Sequence, residues 1–258
     1  MKNLTKLFLG AVSLAAMASA SAPVSAQDAP AWGLTGYVQM QSDYKFRGIS
    51  QNERDPSFQG TLNLTGPEGF YVGSWASQVD WNMGGQINNP SVEVDIYGGK
   101  HTDVWGIDWN IEPYYYAYPG ANTFGGPTAD YFELINQLTK SFNGVTLQAT
   151  YAWSPEFSLG GGPGHYLAGM ASFTILDWLS VSTNVGHQWV RAANASVGSR
   201  DYTYYDIGAT ATYKSFALDV RYGGTDLGTI PCGFYMGTKS ACVGDVIVTL
   251  TYNVSLLP

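Results

Sequence analysis

Charged residues are scarce in this sequence. They make up 12% of its 258 residues, about half the share found in an ordinary soluble domain. The scarcity is one-sided, because 12 lysines and arginines stand against 20 aspartates and glutamates, giving a formal net charge of −8. So few basic residues argue against nucleic acid as a partner. So little charge overall indicates that much of the outer surface does not face water.

Cysteine and histidine, on which many metal and catalytic sites depend, are almost missing. Cys232 and Cys242 form no CxxC or Cys/His cluster, so the sequence predicts no metal and no cofactor. The histidines, His101, His165 and His187, have no serine two positions away on the same strand face. A nucleophile beside an oriented base is therefore not indicated, and we predict that the protein is not an enzyme.

Long hydrophobic runs are also missing, except at the N-terminus. Lys2 and Lys6 precede LFLGAVSLAAMA, which is followed by small residues and two Ala-x-Ala-like sites, the second ending at Ala26. This is the pattern of a secretory signal peptide over residues 1–26, since the run is shorter than the ~20 residues of a spanning helix. We predict cleavage after Ala26 and one domain over residues 27–258. Export through an oxidising compartment also predicts a disulfide, rather than free thiols, between the two cysteines.

What the sequence does contain is alternation with a period of two. In SVEVDIYGG, Val92, Val94 and Ile96 take one face while Glu93 and Asp95 take the other. Such segments are typical of strands with one apolar and one polar face, whereas no convincing stretch follows the period of a helix. Twelve strands are predicted, over residues 34–47, 57–65, 70–80, 91–102, 107–118, 130–142, 145–157, 165–176, 179–190, 202–214, 216–225 and 244–255.

Short and long connections alternate between these strands. The connections after even-numbered strands are tight, as in GPEG, DVWGI, NG and LDW. Those after odd-numbered strands are long and rich in Gly, Asn, Ser and Pro. This pattern is typical of an all-β fold, a transmembrane antiparallel up-and-down β-barrel with short periplasmic turns and long external loops. A secreted sandwich is the competing architecture, but it would show a charge-rich exterior.

The polar faces of these strands would then line the lumen. A charge facing lipid at mid-depth costs about 2–4 kcal/mol, so ionised residues fix the orientation of each strand. Tyr44 and Phe46 are expected to face outward at the height of an aromatic girdle. Asp206 and Lys214 are expected to join the candidate pore-lining residues, which are Asp43, Lys45, Arg47, Glu93, Asp95, Asp108, Glu112, Glu133, Asp219 and Arg221.

Six segments resemble the signature blocks of the TorF family of porins, small exported proteins of proteobacteria. They are SDYKFRGISQ, DPSFQG, GFYVGSWAS, EVDIYGG, YYAYPG and YFEL, in order along the chain. The resemblance implies an outer-membrane barrel with a channel role. The C-terminus departs from the aromatic ending that we would expect, because Tyr252 is the last ring in the sequence. Either this strand is recognised differently by the barrel assembly machinery, or it ends before a short tail.

The sequence therefore predicts a protein of the cell outer membrane, surrounded by lipid, that passes small hydrophilic solutes or ions. Twelve strands should enclose a narrow path, and the surplus of inward carboxylates should favour cations. Arg47 is expected at a constriction or in an ion pair, with Glu93 and Asp95 as partners. The alternatives are a structural or ligand-binding barrel without an open pore, of adhesin or receptor type, and a barrel lipid hydrolase.

Overall fold

The structure is a computed structural model that describes most of the predicted domain. The predicted signal peptide, residues 1–26, lies outside the described residues. In the part of the chain that is described, no helix is long and apolar enough to cross a membrane. The described residues are 32–81, 90–121, 126, 128–190, 201–229, 232–233 and 238–257.

Twelve antiparallel strands form a closed barrel in which each strand pairs with its sequence neighbours and the last pairs with the first. Two further short strands form a separate hairpin, and Pro67–Gly69 and Ser158–Gly160 form single 3₁₀ turns. The strands are β1 (Gly33–Gln41), β2 (Lys45–Phe46), β3 (Ile49–Ser50), β4 (Ser57–Thr65), β5 (Phe70–Gln78), β6 (Val92–Val104), β7 (Ile107–Ala117), β8 (Tyr131–Phe142), β9 (Val145–Ser154), β10 (Gly164–Leu176), β11 (Leu179–Val190), β12 (Tyr202–Tyr213), β13 (Phe216–Thr225) and β14 (Asp245–Leu257).

Pairing of β1 with β14 closes the barrel. Val38 lies opposite Tyr252, and the ladder runs on until Leu34 lies opposite Leu257. The last strand therefore continues to Leu257 and does not stop before a tail of several residues. Closure gives every described wall strand two neighbours, so the wall formed by these strands has no edge with unpaired backbone groups.

The short connections lie where the sequence predicts them. Trp105 and Gly106 have φ of 57° and 75°, and Asn143 and Gly144 have φ of 48° and 78°. Two successive positive φ values define the tight hairpin turns that match the twist of antiparallel strands. We call this end of the barrel the short-turn rim, and the opposite end the long-loop rim.

The two faces of the wall differ as predicted. Apolar side chains such as Val38, Phe58, Leu62 and Leu250 are exposed on the outside, whereas polar side chains such as Gln39 are buried inside. The twelve strands of the wall are 9–13 residues long, which suits the hydrocarbon core of a membrane, since a tilted strand needs about 9–11 residues to span it. The all-β, twelve-stranded prediction is confirmed.

The first strand is shorter than predicted. It ends at Gln41 rather than at residue 47, and residues 42–56 leave the wall and enter the barrel. Tyr44 and Phe46 therefore do not face a membrane, and Tyr44 is only 3% exposed. The prediction was wrong because alternation continues unbroken from the wall into this segment, so the period alone cannot tell a wall strand from an internal one.

The aromatic residues near strand ends divide into two groups. One group does lie on the outside: Trp105, Trp109, Tyr115, Trp153, Trp178, Trp189 and Tyr205. The other group is buried inside the barrel, where rings can pack against one another: Trp75, Trp81, Tyr114, Tyr116, Tyr118, Tyr202 and Tyr204.

Candidate functional site

A tight hairpin with an arginine at its tip lies inside the barrel. Its strands, β2 and β3, are joined by Arg47 and Gly48, whose φ values are 47° and 82°. Glycine tolerates such an angle and arginine does so less readily. At the base of the hairpin, the Gln51 amide donates to the Tyr44 carbonyl at 2.8 Å. We call residues 42–56 the lumen hairpin.

The Arg47 guanidinium reaches the opposite wall. Its Nη1 and Nη2 donate to the two carboxylate oxygens of Glu133 at 2.9 and 2.6 Å, and Nη1 also donates to Gln188 Oε1 at 2.5 Å. Glu133 lies on β8 and Gln188 on β11, and both strands are far around the barrel from β1 and β4, where the hairpin begins and ends. The lumen hairpin therefore spans the lumen.

Aromatic rings enclose the same guanidinium. Its central carbon lies 3.9 Å from the centroid of Tyr166 and 4.6 Å from that of Phe46. The Phe46 ring in turn meets Tyr116 edge-on at 5.7 Å. Only 1% of the Arg47 surface remains exposed. A buried charge with both a bidentate carboxylate and ring contacts is held far more firmly than a surface ion pair.

The base of the lumen hairpin carries a second buried ion pair. Lys45 Nζ lies 3.9 Å from the Asp43 carboxylate. Burial lowers the pKa of the Lys45 ammonium, and Asp43 opposes this effect. Burial likewise raises the pKa of Asp43, opposed by a hydrogen bond from Ser50 and by Lys45. Desolvation thus disfavours the charged form of both side chains.

The loop between β13 and β14, which we call the disulfide loop, packs against the hairpin. Cys232 and Cys242 are joined in a disulfide. The residues on either side of Cys242 hold the hairpin, because the Ser50 amide donates to the Ala241 carbonyl at 2.9 Å and Lys45 Nζ donates to the Val243 carbonyl at 2.6 Å. This loop lies at the long-loop rim.

Three inward carboxylates have no cationic partner among the described residues. Each accepts a hydrogen bond from a tyrosine instead. Tyr44 donates to Glu93 at 3.3 Å and Tyr114 to Asp95 at 2.8 Å, and Tyr71 does the same for Glu112. The predicted pairing of Arg47 with Glu93 or Asp95 is wrong, since the hairpin carries Arg47 past that part of the wall to Glu133.

The remaining predicted residues form two groups away from the hairpin. Arg221 pairs with Asp219 at 3.1 Å and with Asp206. This cluster is buried on β12 and β13, as the inward parity predicts. Asp108 lies near the short-turn rim, 2.9 Å from Nδ1 of His101. Lys214 does not join them, because it occupies the exposed turn between β12 and β13.

Among the described residues, inward side chains are buried beside the hairpin and more exposed toward the short-turn rim. Along β8, the inward residues Glu133 and Gln137 are buried, Thr139 is half-buried and Ser141 is exposed. Along β14 the same change occurs between Thr251, which is buried, and Asn253, which is exposed. The described part of the lumen is therefore more completely filled by side chains around the hairpin than toward the short-turn rim.

The sequence did not reveal the inward fold of the hairpin or the role of Gln188. One local signal was available, because Gly48 follows Arg47 between two alternating pairs, as in a two-residue hairpin turn. No signal could identify Glu133 as the partner, since 86 residues separate it from Arg47.

Solved structures of outer-membrane channels share this architecture at low identity. The KdgM porin in complex with disordered oligogalacturonate aligns with a TM-score of 0.54 at 8% identity, over 85% of this chain and 98% of that one. The NanC porin aligns with a TM-score of 0.52 at 7% identity, over 84% and 97%. An outer membrane channel from Pseudomonas putida F1 aligns with a TM-score of 0.51 at 12% identity, over 91% and 99%. At such identities the likeness shows the fold alone.

The sequence comparisons identify a family but no activity. No curated protein matches the sequence. Residues 25–254, almost the whole chain, match the family described as "Bacterial protein of unknown function (Gcw_chp)". This twelve-stranded barrel with an arginine-tipped hairpin in its lumen is thus a member of the Gcw_chp family.

Proposed function

We propose that this protein is a porin-like channel of the outer membrane through which small hydrophilic solutes or ions diffuse passively. The observation that carries the proposal is the lumen hairpin, a polar and charged constriction placed across a closed barrel with an apolar exterior. In this proposal the signal peptide is removed after Ala26, and the barrel assembly machinery inserts the chain into lipid. The role is transport and not catalysis, in keeping with the resemblance to TorF porins.

A narrow path follows from the strand number and the hairpin. Eight strands leave an interior filled by side chains, whereas sixteen to eighteen leave an aqueous channel. Twelve strands lie between these cases, and the lumen hairpin occupies part of the remaining section. In this proposal solutes pass beside the Arg47 side chain, which bridges the lumen to Glu133.

A cation preference follows from the balance of charge. Lys45, Arg47 and Arg221 each have a carboxylate partner, whereas Glu93, Asp95 and Glu112 have only tyrosine hydroxyls and other neutral groups. Carboxyl groups without cationic partners favour cations over anions in a narrow pore. The oligogalacturonate named for the KdgM porin is an anion, so we do not extend that ligand to this chain.

A barrel without an open pore is the second candidate. The observation in its favour is the packing around the hairpin, where Arg47, Glu93 and Glu133 are each 1% exposed. In such a barrel the internal charges would be structural, and any ligand would be bound by the external loops.

Electrical recording from purified protein in planar bilayers separates the two candidates. We expect small ohmic steps and a reversal potential that shows cation preference. The Arg47→Ala variant should raise the single-channel conductance severalfold, because it removes the side chain that bridges the lumen. Arg54→Ala is the matched control, since this arginine belongs to the same segment but pairs with Asp245 at a partly exposed site.

The control should conduct like the unmodified protein. Silence of both the unmodified protein and Arg47→Ala, with heat-modifiable migration intact, would favour the barrel without a pore. Lipid hydrolysis by the purified barrel would contradict both candidates.

A further inference from the structure

The pocket that holds Arg47 has the composition of a guanidinium receptor. Glu133 offers two carboxylate oxygens to two nitrogens of one planar group, Gln188 adds an amide oxygen, and the Tyr166 ring covers the face. We propose that these three residues form a binding site for guanidinium-bearing cations, which Arg47 occupies as a ligand built into the chain. We call them the guanidinium pocket.

The chemistry of the pocket distinguishes guanidinium from other cations. A carboxylate that meets two parallel N–H groups selects a planar fork, which an ammonium or a metal ion cannot offer. A tyrosine face within 4 Å favours a flat, weakly hydrated cation over a strongly hydrated one. The amide oxygen of Gln188 accepts a further N–H, so acceptors lie along two edges of the planar guanidinium.

The pocket side chains are held by the wall as well as by Arg47. Glu133 accepts a hydrogen bond from Tyr116 at 3.1 Å. Gln188 Nε2 donates to the carbonyls of His165 and Trp189 at 3.1 and 3.2 Å. Tyr166 is hydrogen-bonded to Tyr204. Because these contacts do not involve Arg47, the pocket should keep its shape when that side chain is shortened.

Arg47 does not use the whole of its own hydrogen-bonding capacity. Its Nε is buried and has no hydrogen-bond partner among the described residues. In a free guanidinium ion the third nitrogen is not attached to an alkyl chain. The ion can therefore rotate in the pocket until that nitrogen also finds a hydrogen-bond acceptor. The built-in ligand is therefore replaceable by a free one of the same chemistry.

This inference extends the proposed function, and for the unmodified protein it rests on it, because a solute reaches the pocket only through the lumen. The class of permeant solute that it names is a small organic cation with a guanidinium group. Such a solute would compete with Arg47 for Glu133 as it passes.

The test is chemical rescue of Arg47→Ala in detergent micelles. Guanidinium chloride at about 20 mM, far below denaturing concentrations, should raise the thermal midpoint of this variant. Four heavy atoms are compatible with a dissociation constant of about 10 mM, so about two thirds of the sites should be filled. Urea, which has the same shape without charge, and sodium chloride at equal ionic strength should give no shift.

A second variant assigns the effect to the pocket. Adding Glu133→Gln to Arg47→Ala should abolish the shift, since it removes the charge and one acceptor while keeping the shape. An equal shift in both variants, or no shift in Arg47→Ala, would overturn the proposal. If Arg47→Ala does not fold in quantity, the yield of refolded barrel is measured instead. A yield raised by guanidinium and not by urea supports the pocket, and an unchanged yield overturns it.

Bilayer recording then separates this proposal from the proposed function. If Arg47→Ala conducts, 20 mM guanidinium should lower its current about threefold by filling the pocket. A thermal shift without any current would retain the pocket and contradict the channel. Current without a guanidinium effect on stability or conductance would retain the channel and contradict the pocket.

Discussion

Arg47 is a full positive charge that the fold carries across the lumen to the opposite wall. Removing such a charge from water is costly unless a partner and hydrogen bonds replace the lost solvent. Glu133, Gln188 and the ring of Tyr166 supply that replacement. The sequence identified Arg47 as a residue for a constriction or an ion pair, but it named Glu93 and Asp95 as the partners. Residue chemistry predicted the need for a carboxylate and could not predict which one.

Gly48 sets how closely the tip of the hairpin meets the wall. Its φ is 82°, and an added Cβ would lie 2.7 Å from Tyr204 Cβ and 2.8 Å from Thr225 Cγ2. We expect Gly48→Ala to lower the free energy of unfolding by about 1–3 kcal/mol through this overlap, in addition to about 1 kcal/mol of backbone strain. Urea unfolding of the barrel in micelles measures both contributions.

Gly120→Ala separates the two contributions. Gly120 has a similar φ of 86°, but no atom of the described residues lies within 4 Å of an added Cβ. It should therefore show the strain alone. Equal losses in the two variants would mean that the hairpin tip does not pack against β12 and β13 as described.

At the scale of elements, the same alternating pattern builds two different structures. In β6 it produces a wall strand with Glu93 and Asp95 inside. In the lumen hairpin it produces short strands that are covered on both sides. The alternation reports only that the backbone is extended. Whether an extended segment joins the wall depends on its neighbours, and the wall here is already complete without it because β1 continues its pairing with β4 and β14.

The disulfide loop packs against the lumen hairpin. It contributes the carbonyl groups of Ala241 and Val243 to the hairpin. Replacing Cys232 and Cys242 by serine should therefore loosen the hairpin and raise the conductance. Loss of a disulfide between residues that are 10 apart should also cost about 3 kcal/mol of stability. Single-channel recording and the midpoint of heat-modifiable migration measure the two effects.

A reductant provides the control for this variant. The reductant should raise the conductance and lower the stability of the unmodified protein. It should leave both quantities of the serine variant unchanged. An unchanged conductance in both cases would show that the loop does not hold the hairpin in place.

At the scale of the whole molecule, buried carboxyl groups outnumber buried cationic side chains among the described residues. Glu93 and Asp95 lie on the inner face of β6, with tyrosine hydroxyls as their hydrogen-bond donors. Removing their charges by Glu93→Gln with Asp95→Asn should lower the permeability ratio of cations to anions about fivefold, the factor that corresponds to ~1 kcal/mol between unit charges in water. The reversal potential in a potassium chloride gradient measures this ratio.

Two exposed carboxylates give a control with the same change in net charge. Glu68 and Asp177 lie in turns at the short-turn rim. Glu68→Gln with Asp177→Asn should leave the reversal potential unchanged, because exposed charges at the rim are screened by salt. An equal effect of both double variants would show that selectivity does not arise at the constriction.

The sequence by itself determined the barrel. Alternation, the regular exchange of short and long connections and the high cost of charges in lipid are local or additive properties, so they fixed eleven of the twelve wall strands to within a few residues. They also fixed the inward orientation of Glu93, Glu133 and Arg221.

Only the tertiary structure decided what fills the barrel. Whether residues 42–56 join the wall or enter the lumen depends on space and on hydrogen-bond partners. Both exist only after closure brings β8 and β11 opposite β1 and β4. Glu133 and Gln188, 86 and 141 residues away from Arg47 in the chain, then stand within reach of its guanidinium. Contacts between such distant residues carry no local pattern, and for this reason the constriction could be expected from the sequence but not placed.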